Sequence, residues 1–361
     1  MADTLIASGL EVQQWEDTFY TEYIRDSRFR PYYGTSENAV IQMKEDLTKK
    51  RGDAITCALI NKLSNSAVTG SNTLEGNEED MASRSFTVNV NKLRNAVRIA
   101  EMEEFKSAID LRDAARSVLK DWMMEQDRDR IIAALDSKNG VAYASASEAN
   151  KDAWLVDNAD RVLFGAAVSN NAANDHSDAL GQLDNTSDKL TPSALQLLKR
   201  RARSVASPKI RPIRIKGDEE WYVVFAGSLT FRDLSANSTI TQANREARVR
   251  GLDNPIFTGA DLIYDGMIIR EVPEMNVLTG VGGGSIDVAP VYLCGAQALL
   301  FAIGKRISSR TKEFDYGDKY GVAIEQIRAI EKMTFGSGSG DTDDLKDNGV
   351  ATGYFASVAD S

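Results

Sequence analysis

The sequence is poor in the residues that form metal centres and covalent cross-links. Its 361 residues include two cysteines, Cys57 and Cys294, and one histidine, His176. A zinc site built from cysteine and histidine needs four ligands, and a disulfide framework needs several cysteine pairs. Both are excluded, although a single disulfide is not. Histidine-based catalysis would have to use His176, which we interpret as a solvated loop residue because residues 170–178 are mostly small or polar.

Long hydrophobic runs and an excess of positive charge are also lacking. The longest uncharged stretch, residues 288–304, contains Pro290 and Gln297 and is shorter than the ~20 residues that span a bilayer. The first residues show no basic segment typical of a signal peptide. We therefore expect no membrane partner and synthesis in the cytoplasm. The net charge of −10 argues against a protein whose main task is to grip DNA or an anionic membrane.

Ordinary globular composition, with 42% hydrophobic and 27% charged residues, predicts one large domain or two smaller ones. Apolar residues at helical spacing predict a first helix over residues 10–28, which must bury Trp15 and Phe19 against the chain itself or a neighbour. Residues 54–63 and the alternating pattern after residue 85 flank a polar stretch at 64–85. This arrangement predicts a long hairpin or loop, and a loop of this length is usually functional or a binding arm.

The strongest helix prediction covers residues 101–135, with a kink allowed at 126–130. Residues 139–189 are expected to be irregular with short elements. Thr191 and Pro192 then begin a helix as cap and first residue. The remaining predictions are a hairpin at 210–225, strands at 263–272 and 288–293, a helix at 295–305, a strand or mixed segment at 320–333, a flexible acidic linker at 336–348 and a strand at 350–358. Because helices and strands do not alternate strictly, the predicted class is α+β.

Two motifs suggest ligand binding at first sight, but both lack necessary residues. The glycine-rich segment 279–285 has neither the Lys-Ser or Lys-Thr ending of a phosphate loop nor a strand-to-helix context. The acidic segment 341–349 has Leu345 and Lys346 where a calcium loop needs an oxygen ligand and a glycine. We predict a flexible loop and a solvated acidic turn. No catalytic, cofactor-binding or metal-binding residue is predicted, and no cofactor.

Charge is distributed unevenly along the chain. Residues 199–216 contain eight basic and no acidic residues, whereas the polar stretch carries an acidic cluster around residue 78. We interpret the basic stretch as a solvated helix face and strand edge or as a subunit contact. The less favoured interpretation is a phosphate-binding patch. Opposite patches on one chain suit a self-assembling subunit. The predicted subunit-contact residues are Trp15, Phe19, Glu75, Glu78, Glu79, Arg200, Arg201 and Arg203.

Several segments resemble the major capsid protein family of N4-like tailed bacteriophages. The segment Arg-Gly-Leu-Asp-Asn-Pro-Ile-Phe-Thr-Gly-Ala at 250–260 and Tyr-Asp-Gly-Met-Ile-Ile-Arg-Glu at 264–271 carry most of this resemblance. Other similar stretches, at 74–79, 110–112, 210–213 and 293–298, occur in the same order. The resemblance covers residues 10 to 355.

This resemblance implies the Hong Kong 97-type capsid fold. It implies an N-terminal arm at 1–50, an extended loop at 51–100 whose central part is 54–99, a spine helix of the peripheral domain at 101–139, an axial domain at 140–310 and closing peripheral strands at 311–361. The expected function is non-enzymatic: a major capsid protein that self-assembles into the icosahedral shell around a double-stranded DNA genome.

The same resemblance implies the partners. We expect hexamers and pentamers of the same chain in the virion, with portal, scaffolding and decoration proteins as further candidates. The scaffolding protein is expected to be separate or absent. Packaged DNA is expected to be held without sequence-specific binding. No lysine occurs in residues 64–85, so no Lys–Asn cross-link from the loop tip is expected. Two alternatives stay open: a cellular nanocompartment shell protein of the same fold and a carboxylate-dependent hydrolase.

Overall fold

The structure, a computed structural model, describes residues 28–45, 52, 54–60, 62–63, 65–79, 83–107, 109–215, 219–246, 261–337 and 342–360. The predicted N-terminal helix with Trp15 and Phe19 and the 250–260 segment lie outside the described residues. Helices α1 to α7 are Glu101–Lys106, Leu111–Asp136, Glu148–Asn158, His176–Gly181, Pro192–Arg200, Ser228–Ser235 and Ser238–Glu246. None of the described helices is long and apolar enough to cross a membrane.

Among the described residues, strands β1 to β16 form sheets of five, seven, two and two strands. Their bounds are Tyr33–Gly34, Ile41–Lys44, Ala54–Ile60, Ser83–Asn89, Asn91–Ala100, Val162–Phe164, Ile213–Ile215, Glu219–Ala226, Asp261–Tyr264, Met267–Glu271, Val288–Cys294, Leu299–Phe314, Lys319–Lys332, Thr334–Ser337, Asp343–Asp347 and Val350–Ala356.

The chain divides into two units. The described part of the smaller unit comprises residues 92–127 and 305–327, and the larger unit comprises residues 28–91, 128–304 and 328–361. Strands β12 and β13 contribute residues to both units. This mixed architecture confirms the predicted α+β class.

The larger unit is built on the seven-stranded sheet, in the order β6-β16-β11-β8-β10-β9 with β7 added to β8. Strands β11 and β16 are buried along their whole length and pair antiparallel. Side chains of β8 alternate between two cores because successive residues of a strand face opposite ways. Val223 and Phe225 pack with the last turns of α2, whereas Tyr222 and Val224 pack with α5. Helices therefore cover both faces of this sheet.

The smaller unit packs α2 against a sheet face. Leu119 and Met123 of α2 form a core with Val322 and Ile324 of β13. The predicted helix over 101–135 is interrupted before α2, because the Asp110 carboxylate accepts the N–H groups of residues 112 and 113 as a cap. Helix α2 includes residues 126–130, where a kink was allowed.

Several other predictions are confirmed. The Thr191 hydroxyl accepts the N–H of Ala194 at 3.3 Å and caps α5, with Pro192 in its first turn. Strands β7 and β8 form the predicted hairpin. Strand β11 matches the prediction at 288–293, and β16 matches the predicted strand at 350–358. The segment predicted as strand or mixed at 320–333 is strand β13. The 263–272 strand is instead two antiparallel strands that turn at Asp265 and Gly266, both with positive φ.

Two predictions were wrong. Residues 295–305 are a turn followed by β12, not a helix. The predicted acidic linker at 336–348 contains β15, which pairs with β14. Residues 139–189, predicted as irregular with short elements, contain the short elements α3, β6 and α4.

Candidate assembly surfaces

The hairpin β3–β4 carries a long exposed loop. The two strands pair antiparallel from Ala54 opposite Asn89 to Ile60 opposite Ser83. Ile55, Cys57 and Val88 bury one face of the hairpin. We call residues 61–82 the extended loop; its described residues are exposed except for Glu79, which is half-buried. The hairpin is thus anchored at its base, and the described loop residues bury almost no surface.

Polar contacts order the tip of the extended loop. Glu78 Oε2 accepts the N–H of Gly76 at 2.7 Å, and Glu79 Oε2 accepts the N–H of Asn65 at 2.8 Å. Gly76 has φ +86°, a left-handed conformation that favours glycine. Leu74 is 63% exposed. The tip, residues 74–79, therefore presents carboxylates and one apolar side chain to its surroundings.

Part of the basic stretch 199–216 is paired within its own chain. Lys199 and Arg203 form ion pairs with Asp265 at 3.1 Å and Glu220 at 3.0 Å. Arg201 is 7% exposed and donates to the carbonyl oxygen of Ala159. The guanidinium therefore tethers α5 to the end of α3. Its contact with a neighbouring copy stays a prediction.

Three predicted contact residues in these segments keep exposed side chains: Arg200, Glu75 and Glu78. Arg203 is also exposed beside its partner Glu220. The structure describes a single copy, so contacts with a neighbour stay a prediction for these residues. Trp15 and Phe19 lie outside the described residues.

A buried ion pair joins β13 to β15. Lys332 Nζ lies 2.7 Å from Asp347 Oδ2, and both side chains are 1% exposed. The same carboxylate oxygen accepts the indole N–H of Trp154 at 3.0 Å. Lys332 also donates to the carbonyl oxygen of Ser137 at 2.7 Å, so the pair ties α3 and the end of α2 to the two strands. Asp347 is therefore buried rather than solvated as predicted for the acidic turn at 341–349, whereas Asp343 and Asp344 are exposed.

Lys138 lies beside this pair without a counter-ion of its own. Its Nζ is 4.0 Å from the centre of the Trp154 ring and has no hydrogen-bond partner among the described residues. Burial, followed by the charge of Lys332, lowers the pKa of Lys138 to about 7.

His176 was predicted as a solvated loop residue, and this was wrong. It is the first residue of α4, is 1% exposed and packs edge-on against the rings of Phe164 and Tyr354. Burial, with the charges of Lys138 and Lys151 adding to it, lowers the pKa of His176 to about 3. The ring is therefore neutral at physiological pH and fills the core.

The cysteines and the carboxylate cluster, which could react or bind a metal, are buried or hydrogen-bonded within the chain. Cys57 and Cys294 are 5% and 0% exposed, and burial raises the pKa of the Cys294 thiol. Three carboxylates, Glu148, Asp152 and Asp175, lie within 4.8 Å of one another. Asp152 accepts the N–H of His176, and Asp175 caps α4. The latter two carboxylates thus have structural partners.

Comparisons of the sequence with known proteins find phage capsid proteins. A family model described as phage capsid protein matches residues 3–359. The major capsid protein of Pseudomonas phage KPP25 is 28% identical over 366 residues, covering 95% of this chain and 94% of that one.

Solved structures show the same likeness. The chain in the cyanophage Pam1 capsid asymmetric unit is 34% identical with a TM-score of 0.90 and full coverage of both chains. The Ralstonia phage GP4 capsid chain is 22% identical with a TM-score of 0.77, again over both full chains.

Proposed function

Because the chain belongs to the phage capsid protein family, we propose that its copies meet through the extended loop as they close a virion shell. It is the major capsid protein of a tailed bacteriophage, with the Hong Kong 97-type fold and a structural role in the capsid. Many copies build such a shell, and a closed shell needs different patches against different neighbours.

The observation that supports this use of the loop is its lack of internal packing. Its described residues are exposed, and hydrogen bonds rather than apolar contacts hold its tip. Ordering a backbone costs about 1–2 kcal/mol per residue, which this loop does not recover within its own chain. Contacts with a neighbouring copy would supply the missing burial.

We propose the following organisation: an N-terminal arm at 1–50, an extended-loop region at 51–100, a spine helix at 101–139, an axial domain at 140–310 and closing peripheral strands at 311–361. The exposed loop supports the second range, and α2 supports the third. The resemblance to N4-like phages supports a short-tailed virus, which a micrograph of the parent virion would test.

We also propose that the shell consists of hexamers and pentamers around double-stranded DNA, made in the bacterial cytoplasm. Portal, scaffolding and decoration proteins are candidate partners. A net charge of −10 supports a lining that does not bind the packaged DNA tightly. Inner-surface lysine variants that package DNA normally would contradict that role of charge. Mature particles should show no covalent ladder on a denaturing gel.

Electron microscopy of the purified protein tests the assembly. The wild-type chain should form closed shells, and particles from infected cells should contain DNA rather than an enzyme cargo. A variant with residues 65–79 replaced by a short Gly-Ser turn should keep its circular dichroism spectrum and lose shell formation. A wild-type chain that sediments as a monomer at every concentration would refute the proposal.

A further inference from the structure

The smaller unit carries a groove whose lining is strongly basic. Strands β5, β12 and β13 form it, with a volume of about 510 Å³. We call it the basic groove and define it by Lys92, Arg94, Arg98, Arg310 and Lys312. Within a chain of net charge −10, this is a local reversal of sign.

The shape of the basic groove follows from small residues on the central strand. Gly321 and Ala323 of β13 line it, and β13 lies between β5 and β12 in the sheet. Residues 92, 94 and 98 are separated by even numbers, so they share one face of β5. The basic residues of β5 and β12 therefore flank a shallow groove whose base is formed by the small residues of β13.

The acidic residue in the lining, Glu325, leaves a positive excess. It lies 2.9 Å from both Lys92 and Arg310 and also bonds Lys305. One carboxylate thus serves three cations. Like charges on neighbouring strand positions repel, so a row of this kind is stabilised by an anionic partner.

The tip of the extended loop has the matching chemistry. Glu75 and Glu78 are exposed, and Glu79 follows them directly. Leu74, 63% exposed, adds an apolar side chain, and the groove offers the 37% exposed Phe314 as an apolar contact. A 22-residue loop gives each arm about 11 residues, which can extend ~35 Å.

We propose that the basic groove of one copy receives the acidic tip of the extended loop of a second copy. Glu75, Glu78 and Glu79 of the tip are the carboxylates that would enter the groove. Arg94 and Arg98 are the central basic residues that would bind them. The inference rests on the proposed function, since it requires copies to meet through the loop. It assigns the acidic tip to the groove rather than to the 199–216 stretch, where Lys199, Arg201 and Arg203 are engaged within their own chain.

Charge reversal tests the pairing. The tip variant E75K/E78K/E79K and the groove variant R94E/R98E should each lower shell yield, measured by sedimentation, at least tenfold. The variant that combines all five substitutions should recover most of the yield. The control Lys120→Glu, at an exposed lysine on α2 in the same unit, should assemble normally. Failure of the combined variant to recover, in a chain with a native circular dichroism spectrum, would overturn the pairing.

Cysteine cross-linking tests the contact without reversing charge. Glu75→Cys, Glu78→Cys and Glu79→Cys are each combined with Arg94→Cys, and the shells are oxidised. At least one pair should give a ladder of linked chains on a non-reducing gel, and the single variants should give none. Shells without a ladder in all three pairs would overturn the proposal while leaving the capsid function intact. Loss of packaged DNA with normal assembly in R94E/R98E would indicate nucleic acid in the groove and overturn it as well.

Discussion

Removing one member of the buried Lys332–Asp347 pair should strongly destabilise the larger unit. At 2.7 Å, two unit charges attract by about 6 kcal/mol with an effective dielectric constant of 20. Lys332→Met leaves the carboxylate buried, with the Trp154 indole as its remaining side-chain hydrogen bond among the described residues. Breaking a buried pair in this way costs about 3–5 kcal/mol. Asp347→Asn keeps the shape and an acceptor for Trp154, but it leaves the Lys332 ammonium buried without its carboxylate, so it should also destabilise the chain.

Urea denaturation of unassembled subunits, followed by tryptophan fluorescence and circular dichroism, measures this free energy of unfolding. The matched control is Arg203→Met, which breaks the 3.0 Å pair with Glu220 at a side chain that is 61% exposed. Such exposed pairs contribute about 0–1 kcal/mol. If Lys332→Met lost no more stability than Arg203→Met, the pair would not hold β13 and β15 together as described.

Three further outcomes are expected. The pKa of His176 is lowered to about 3 in the folded chain, below its unfolded value of 6.5. Between these two values the unfolded chain binds one more proton, so stability decreases as the pH is lowered from 6.5 to 3. His176→Phe should weaken this fall in melting temperature; an unchanged pH profile would contradict it. The pKa of Lys138 is lowered to about 7, so its contribution to stability rises from pH 7 to 10.5. Lys138→Met should reduce that rise in urea midpoints at pH 7 and 9, and an undiminished rise would count against it. Gly349→Ala should cost about 1–3 kcal/mol more than Gly280→Ala. Both glycines have positive φ, but a Cβ on Gly349 would lie 2.7 Å from the Ala296 carbonyl oxygen, whereas Gly280 has no neighbour within 4 Å. Equal urea midpoints for Gly349→Ala and Gly280→Ala would show that the backbone at Ala296 shifts to accommodate the new Cβ.

Local chemistry made part of the fold predictable. Thr191 followed by Pro192 marks a helix start whatever the surroundings, and the structure has α5 there. The hairpin β3–β4 was also predictable, because strand alternation and a polar tip are both properties of neighbouring residues. The negative charge of the tip was visible in the sequence, whereas the grouping of basic residues from β5 and β12 was not.

The wrong predictions depended on distant residues. Residues 299–303 are continuously buried, and such a run reads equally well as a helix or a strand. Strand β12 gains its identity from pairing with β2 and β13. His176 is surrounded by small and polar residues in sequence, yet rings from β6 and β16 enclose it in space. The basic groove likewise collects cations from β5 and β12, more than 200 positions apart.

The burial of both cysteines has a consequence for the life of the particle. A phage shell leaves a reducing cell interior for an oxidising medium, where accessible thiols would link particles or be oxidised. Cys57 and Cys294 are shielded inside the subunit, and the Cys294 thiol also resists ionisation. Neither thiol is therefore placed to form a bond with a neighbouring copy or with the medium when the particle changes compartment.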